Sequence, residues 1–454
     1  MTETTISPKA GPAEQRWPVL LAYALPALPL AALSLPFYVM VPEFYARDIG
    51  LPIATVGYVL LLVRLLDAVS DPLAGWLADR YRPAFGRRRL WVAGSAPLVT
   101  LSAWFVLAPP ANATAGYLLL WASLLSLAWT AAQVPYQAWG AELSRSYAGR
   151  TRVAAFRESA TVVGTLLALL LPAVIQSQGG DARAGLLAIA MLIGLSLPLF
   201  ALVAVWRTPE PVERSRTALL WRAGLDGILA NRPFRRLLAA FFINSFANGL
   251  PATLFLFFVA ERLGARDAAG PLLVLYFLCG VLGVPFWLWL AGRTSKHRAW
   301  AWGMALAVLS FTGAIFLREG DVFAFGIVCV LTGLALGADV VLPASIQADV
   351  IDIDTATTGS ERAGLYLGLW ALATKLAFAG AVGLAFPLLG WAGFDPAAGT
   401  KTQGGLLMLG LLYAGLPCLL KLGAIALVWN FPLDRAAMGE VEARIAMRAS
   451  GKAG

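Results

Sequence analysis

The sequence predicts an all-α membrane protein with twelve transmembrane helices in two six-helix halves. Three observations predict it. Charged residues make up 13% of the 454-residue chain and hydrophobic residues 59%, where a soluble domain carries about 25% charge; the mean hydropathy is +0.72. Apolar stretches long enough for the roughly 20 residues that cross a bilayer recur along the chain. A polar stretch at 207–233, rich in Arg, Glu and Pro, divides them six and six.

In order, the spans are expected at 18–45, 51–78, 90–108, 115–141, 152–177, 184–206, 234–260, 269–292, 299–317, 322–350, 362–390 and 403–429. Around them lie an N-tail (1–17) and a C-tail (431–454), with the halves at 18–206 and 234–430. Most spans exceed the minimum, so tilt or kinking is expected. The first carries Pro18, Pro26, Pro29, Pro36 and Pro42. Each interior proline removes a backbone hydrogen bond, and at membrane depth protein or water must cover the freed carbonyl. Span one is therefore expected to be broken and to line a cavity; a bent packing helix is the alternative. Gly333 and Gly337 in span ten are spaced for close helix approach. Cys279, Cys329 and Cys418 read as buried hydrophobes, and His297 falls in a basic loop. The C-tail string DRAAMGEVEARIAMRAS reads as an amphipathic cap. A faint internal echo links GWLADRYRPAFGRRRLW to WLAGRTSKHRAW: each sets a glycine, a basic run and a tryptophan between two spans.

The net charge of +9 is spread in a way that argues against nucleic acid. With the N-terminus in the cytoplasm, 25 Lys and Arg fall in inner segments and 6 in outer loops, a strong positive-inside bias that puts both termini in the cytoplasm. The first span is too long for a signal-peptide core and is read as retained. The chain is expected to be a multi-pass protein of the cytoplasmic (inner) membrane, monomeric, with lipid and a small molecule as its partners. No metal-ligand cluster and no nucleophile–base–orienter set recurs, so the chain does not read as an enzyme, and no cofactor is expected beyond a coupling ion.

Span two holds the most informative charges. Arg64, Asp67 and Asp71 lie on one face of a helix with 3.6 residues per turn. A charge at bilayer depth costs about 2.5–3.5 kcal/mol on insertion scales, so this stripe is expected to face a bundle interior or a wet cavity. One arginine cannot neutralise two acids; the spare carboxylate is a candidate cation site, and a structural ion pair is the alternative. Asp79, with Arg87 and Arg88 across the next loop, suggests charge pairs that gate the cytoplasmic side; topology anchoring explains the arginines equally. In span four, Thr130 and Gln133 stand near Pro135 among Trp129, Tyr136 and Trp139, either a broken-helix binding site or an aromatic packing cluster. Arg157, Asp339 and Lys375 lie deep. A buried lysine needs a partner or loses its proton, and Lys375–Asp339 is the expected pair. Lys421 is expected to snorkel to the cytoplasmic face.

The strings VRLLDAVSDPLAGWLADR, GRRRLW, VPYQAWGAELS, GRTRVAAFRE, QADVIDID and SERAGLYLG, in order from span two to span eleven, resemble the glycoside–pentoside–hexuronide:cation symporters, melibiose-permease-like carriers of the major facilitator superfamily, in a match that runs from span one. The resemblance implies the major facilitator fold and alternating-access symport of a sugar, glycoside or related solute with sodium or a proton. It implies cation binding at Asp67 and Asp71 beside the Thr130 hydroxyl, and Ser70, between the two acids, is expected to join them. It implies that Arg157 lies near the substrate and that Lys375 faces the cavity. The residues themselves add Gln133, Trp129 and Tyr38 as expected substrate contacts and Arg64, Asp79, Arg87, Arg88 and Asp339 as expected gating or charge-pair residues. Departures accompany the resemblance. Ser70 stands where the family has asparagine and Gln133 where it has an acid. Leu30 and Ala31 stand where the galactoside carrier has a Lys–Asp pair. A lysolipid or other amphiphile is therefore the alternative substrate.

Overall fold

The computed structural model describes residues 16–81, 85–143, 147–210, 230–358, 363–396 and 402–432. The elements are α1 (Trp17–Ala24), α2 (Ala27–Leu35), α3 (Val41–Arg47), α4 (Ile53–Arg80), α5 (Arg87–Leu107), α6 (Ala115–Glu142), α7 (Tyr147–Ser177) and α8 (Ala182–Arg207). Then follow α9 (Arg232–Phe257), α10 (Ala269–Arg293), α11 (Lys296–Ala314), α12 (Val322–Thr358), α13 (Ala363–Trp391), α14 (Gln403–Gly410) and α15 (Leu416–Val428). Among the described residues, eleven helical stretches are long and apolar enough to cross a membrane. The expected ninth span is α11, a 19-residue helix outside those eleven; Lys296, His297 and Arg298 occupy its first turn. His297, expected in a loop, is buried in that turn, 3.3 Å from the Ser295 hydroxyl. The protein is an integral, multi-pass membrane protein.

Span one is broken, as its prolines demand. Pro26 separates α1 from α2, and Pro36 opens a π turn (Pro36–Met40) ahead of α3. Proline cannot donate the intrahelical bond, so the helix rewinds locally. Further π turns end α9 (Phe258–Arg262) and join α14 to α15 (Leu411–Gly415). Of the expected tails and linker, residues 1–15, 211–229 and 433–454 lie outside the described residues, and the amphipathic C-tail with them; Arg232 and Pro233 already belong to α9.

The chain divides into two compact units: residues 1–37 with 69–215, and residues 38–68 with 216–454. It crosses between them at the π turn after α2, within α4, and in the polar stretch after α8. Only the last crossing lies where composition marks a boundary. In the second unit, glycines let residues 53–61 settle against α13. A Cβ on Gly57 would lie 2.4 Å from the Phe386 Cβ, and one on Gly383 2.8 Å from the Leu61 side chain.

The core of the first unit is aromatic. Tyr23 stacks on Tyr136 with ring centroids 4.8 Å apart, and each phenol donates to the other's backbone carbonyl, at 3.2 and 2.7 Å. Trp139 donates to the Pro209 carbonyl at 3.0 Å. These side chains are fully buried, so Tyr136 and Trp139 are packing residues. The second unit is built around Phe234, Trp287, Trp300, Leu342, Tyr366 and Val428. There α10 and α12 meet through small residues: a Cβ on Gly333 would lie 2.3 Å from the Tyr276 carbonyl oxygen, and one on Gly337 2.8 Å from that of Gly280. Such contact gives van der Waals attraction where lipid offers no hydrophobic drive. Outward surfaces carry bare apolar side chains, Leu195 and Phe323 among them.

Candidate functional site

In the first unit, the second half of α4 meets α6. Gly75 makes the approach possible, a Cβ there lying 3.6 Å from Val134. Thr130 Oγ1 donates to Asp71 Oδ1 at 2.8 Å. Ser70 Oγ reaches Thr130 Oγ1 at 3.5 Å, the long limit of such a bond. Ser70 and Thr130 are buried. One turn along α6, the Gln133 Oε1 is buried with no hydrogen-bond partner. An unpaired buried acceptor costs about 1–3 kcal/mol, so this oxygen suits a donor or a cation. A carboxylate and two hydroxyls from two adjacent helices make an oxygen-rich cluster, the donor chemistry of hard cations, and Gln133 stands one turn along α6 from Thr130. Pro135, one turn beyond Ala131, leaves an α6 carbonyl without its usual donor. Trp129 is half-buried on the same helix.

Arg157, on α7, pairs with its neighbour Glu158 at 2.6 Å and lies beside the Tyr23 phenol. Arg87 and Arg88 do form charge pairs, and the partner is Glu142. Arg87 Nη2 lies 3.0 Å from Glu142 Oε2 and Arg88 Nη2 2.7 Å from Oε1. The Arg88 backbone N–H donates to Glu210 at 2.7 Å. These acids belong to the same unit as the arginines, so the pairs brace that unit internally. Burial alone would lift the Glu142 carboxyl, but hydrogen bonds and charge from Arg88 and Arg87 outweigh it and hold it below the usual carboxylate range. The side chain of Asp79, the expected partner, lies outside the described residues.

In the second unit, Lys375 Nζ sits 2.8 Å from Asp67 Oδ2, where the sequence suggested Asp339. Arg64 is buried with its guanidinium carbon 3.5 Å from the Tyr38 ring centroid, a close cation–π contact. Asp339 pairs instead with Lys421 at 3.3 Å. Its carboxylate also accepts from Asn244 (3.0 Å), Asn248 (2.9 Å) and Trp300 Nε1 (2.7 Å). Lys421 further donates to Asn244 Oδ1 at 2.7 Å and is 1% exposed. The expectations of a Lys375–Asp339 pair and of a snorkelling Lys421 are both overturned. Lys421 has a polar shell of Asn244 and Asp339 that removes any need to reach water.

Composition also gave no hint of a second ionic group in this unit. Glu43 and Arg47 on α3 pair at 2.7 Å, Arg47 pairs with Glu261, and Arg266 reaches Glu43 at 3.2 Å and Asp48 at 3.3 Å. Loop charges of ordinary sequence context carry no periodic signal, and the only clue was that Glu43 falls inside an apolar span.

Comparison with known proteins agrees with this architecture. A family model described as MFS/sugar transport protein matches residues 22–435. The chain is 25% identical to the sodium-dependent lysophosphatidylcholine symporter 1 of Homo sapiens, over 83% of this chain and 76% of that protein. It is 26% identical to the inner membrane symporter YicJ of Escherichia coli, over 83% of each. The fold matches the crystal structure of the nucleoside transporter NupG with a TM-score of 0.63, at 14% identity, over 91% of this chain and 99% of that one. The family model spans nearly all of the described helices, and the chain therefore belongs to the MFS/sugar transport protein family: it is a secondary transporter of the major facilitator superfamily and not an enzyme.

Proposed function

We propose that the chain is a sodium-coupled symporter of the inner membrane that carries a sugar, glycoside or related solute, with Asp71 as the carboxylate that receives the ion. The observation that carries this reading is the contact of Asp71 with Thr130 and of Thr130 with Ser70, with the unpaired Gln133 oxygen one turn along α6. Sodium needs several oxygen ligands, whereas a proton needs one carboxylate; a carboxylate joined by two hydroxyls, with the unpaired Gln133 oxygen one turn along the helix that carries Thr130, favours the metal ion. Asp67 is engaged by Lys375, so its part in cation binding is to set the local charge. Filling the site with a cation neutralises negative charge within a membrane span, and the coupling is the difference in cation affinity between transport states. The sodium dependence stated for the lysophosphatidylcholine symporter supports the choice of ion.

A second reading concerns the cargo. Leu30 and Ala31 are apolar and buried where the resemblance expects a charged pair that holds sugar hydroxyls. This favours a lysolipid or other amphiphile, the cargo in the name of the human relative. Reconstitution in liposomes with imposed sodium or proton gradients, against a panel of glycosides and lysolipids, tests both points. Uptake driven by sodium and abolished in D71N supports the reading. Uptake that follows a proton gradient alone, or no gradient, overturns the choice of ion.

A further inference from the structure

The two strings of the internal echo share a structural feature outside the ion cluster. On α4, the Arg80 guanidinium carbon lies 5.2 Å from the Trp76 ring centroid. On α10, that of Arg293 lies 4.5 Å from the Trp289 ring centroid. In both, arginine follows tryptophan by four residues, one helical turn, so the planar cation folds back over the indole. Both indoles are bare: Trp76 is 54% and Trp289 50% exposed. Both arginines are exposed as well.

These arginines also differ from their neighbours in the chain. Arg87 and Arg88 hold Glu142, and Lys296 holds Asp349 at 2.7 Å. Among the described residues Arg80 and Arg293 have no acidic partner. Each sits at the end of its membrane span: Ala78 closes one, and Arg293 itself closes the other. By the positive-inside distribution both ends meet the cytoplasmic surface. Tryptophan favours that depth because its ring is apolar and its N–H polar. A guanidinium stacked on an indole has its plane fixed and its N–H edge turned outward, a fork matched to phosphate oxygens.

We infer that Trp76–Arg80 and Trp289–Arg293 are twin binding sites for the phosphate of anionic phospholipids in the cytoplasmic leaflet. The indole lies along the acyl–headgroup boundary and the guanidinium takes the phosphodiester. A lipid is the fitting source of that phosphate because an aqueous anion would leave the exposed indole uncovered.

Native mass spectrometry of the full-length protein in detergent, titrated with phosphatidylglycerol or phosphatidylcholine, tests this. The wild type is expected to retain two phosphatidylglycerol molecules in preference to phosphatidylcholine. R80Q and R293Q each lose one, and the double variant loses both. W76L keeps the charge and is expected to weaken its site about two- to fivefold, the range of an exposed cation–π contact. All four side chains are exposed, and unchanged melting temperatures verify that the variants are folded. Wild-type phosphatidylglycerol binding by the double variant overturns the inference. So does equal retention of phosphatidylcholine, and so does displacement of the lipid by inorganic phosphate, which would mark a simple anion site. An unaltered W76L would overturn the stacked geometry.

Discussion

Thr130 donates a 2.8 Å hydrogen bond to the Asp71 carboxylate, joining α6 to α4 at an acid inside a membrane span. A hydrogen bond to a charged group is worth about 1.5–3 kcal/mol. Replacing Thr130 with valine keeps the shape and removes the oxygen. T130V is therefore expected to raise the half-saturating sodium concentration for uptake about tenfold or more, while T130S stays near wild type. Sodium titration of uptake in proteoliposomes measures it; an unchanged T130V would remove Thr130 from the ion site.

Lys375 and Asp67 form a pair that is not sealed, with 25% and 14% of their side chains exposed. Removing the lysine leaves an uncompensated carboxylate within the membrane. Breaking a fully buried pair costs about 3–5 kcal/mol, and partial exposure reduces this. K375M is expected to lower the melting temperature modestly and D67N/K375M to recover most of the loss. If Asp67 itself captured the transported ion, the double variant would also lose its sodium response; with Asp71 in that role, a response persists.

Glu142 gives the first unit an acid-sensitive brace. Its carboxyl lies below the usual range because Arg88 and Arg87 outweigh the effect of burial. In the folded state it therefore binds its proton less readily than when unfolded. Its contribution is complete above the ordinary carboxylate pKa and is lost as pH falls through the lower, folded value. The melting temperature should decline on acidification below about pH 4.5, the ordinary value for this group. E142Q should be less stable at neutral pH, with a shallower acid limb.

Glycine contacts offer a stability test independent of charge. A Cβ on Gly333 would press into the Tyr276 carbonyl at 2.3 Å, whereas one on Gly94 meets nothing within 4 Å. Backbone cannot give way as a side chain can, so G333A should cost about 1–3 kcal/mol through overpacking. G94A should be neutral or slightly stabilising because alanine favours helix. Equal melting temperatures for the two would show that α10 and α12 do not need their close approach.

How much could be read from sequence follows from these particulars. The spans were legible because lipid demands long apolar runs, and the break in span one because proline cannot donate. The polar groups at 67, 70, 71 and 130 stand out at membrane depth in the sequence, and the structure brings 70, 71 and 130 together while Asp67 meets Lys375. Partner choice was not legible. Helical spacing says which face a lysine shares but not which helix lies opposite, so Lys375 was matched to the wrong aspartate. Asn244, Asn248 and Trp300 were missed for a related reason: neutral polar residues in an apolar helix carry no charge to flag them. Glu142 was hidden in plain sight, the acid at the end of VPYQAWGAELS.

The Asp339–Lys421 centre yields the sharpest prediction on stability. Asp339 receives Asn244, Asn248, Trp300 and Lys421, drawing on α9, α11, α12 and α15. Lys421 and Trp300 are all but inaccessible. A charge so enclosed is stable only because its counter-charge and donors are in place, and removal of one partner leaves the other stranded at a cost of about 3–5 kcal/mol. K421M and D339N should each be strongly destabilised, D339N somewhat less because its amide can keep part of the hydrogen bonding. The pair D339N/K421M removes both charges and should recover much of the loss, a coupling of about 1–3 kcal/mol in a double-mutant cycle. W300F deletes only one donor and should cost about 1–2 kcal/mol. Thermal unfolding of the four variants in one detergent provides the measurement. Additive single and double effects would mean that the two charges do not depend on each other, and the centre would then be a set of separate contacts instead of one buried ion pair.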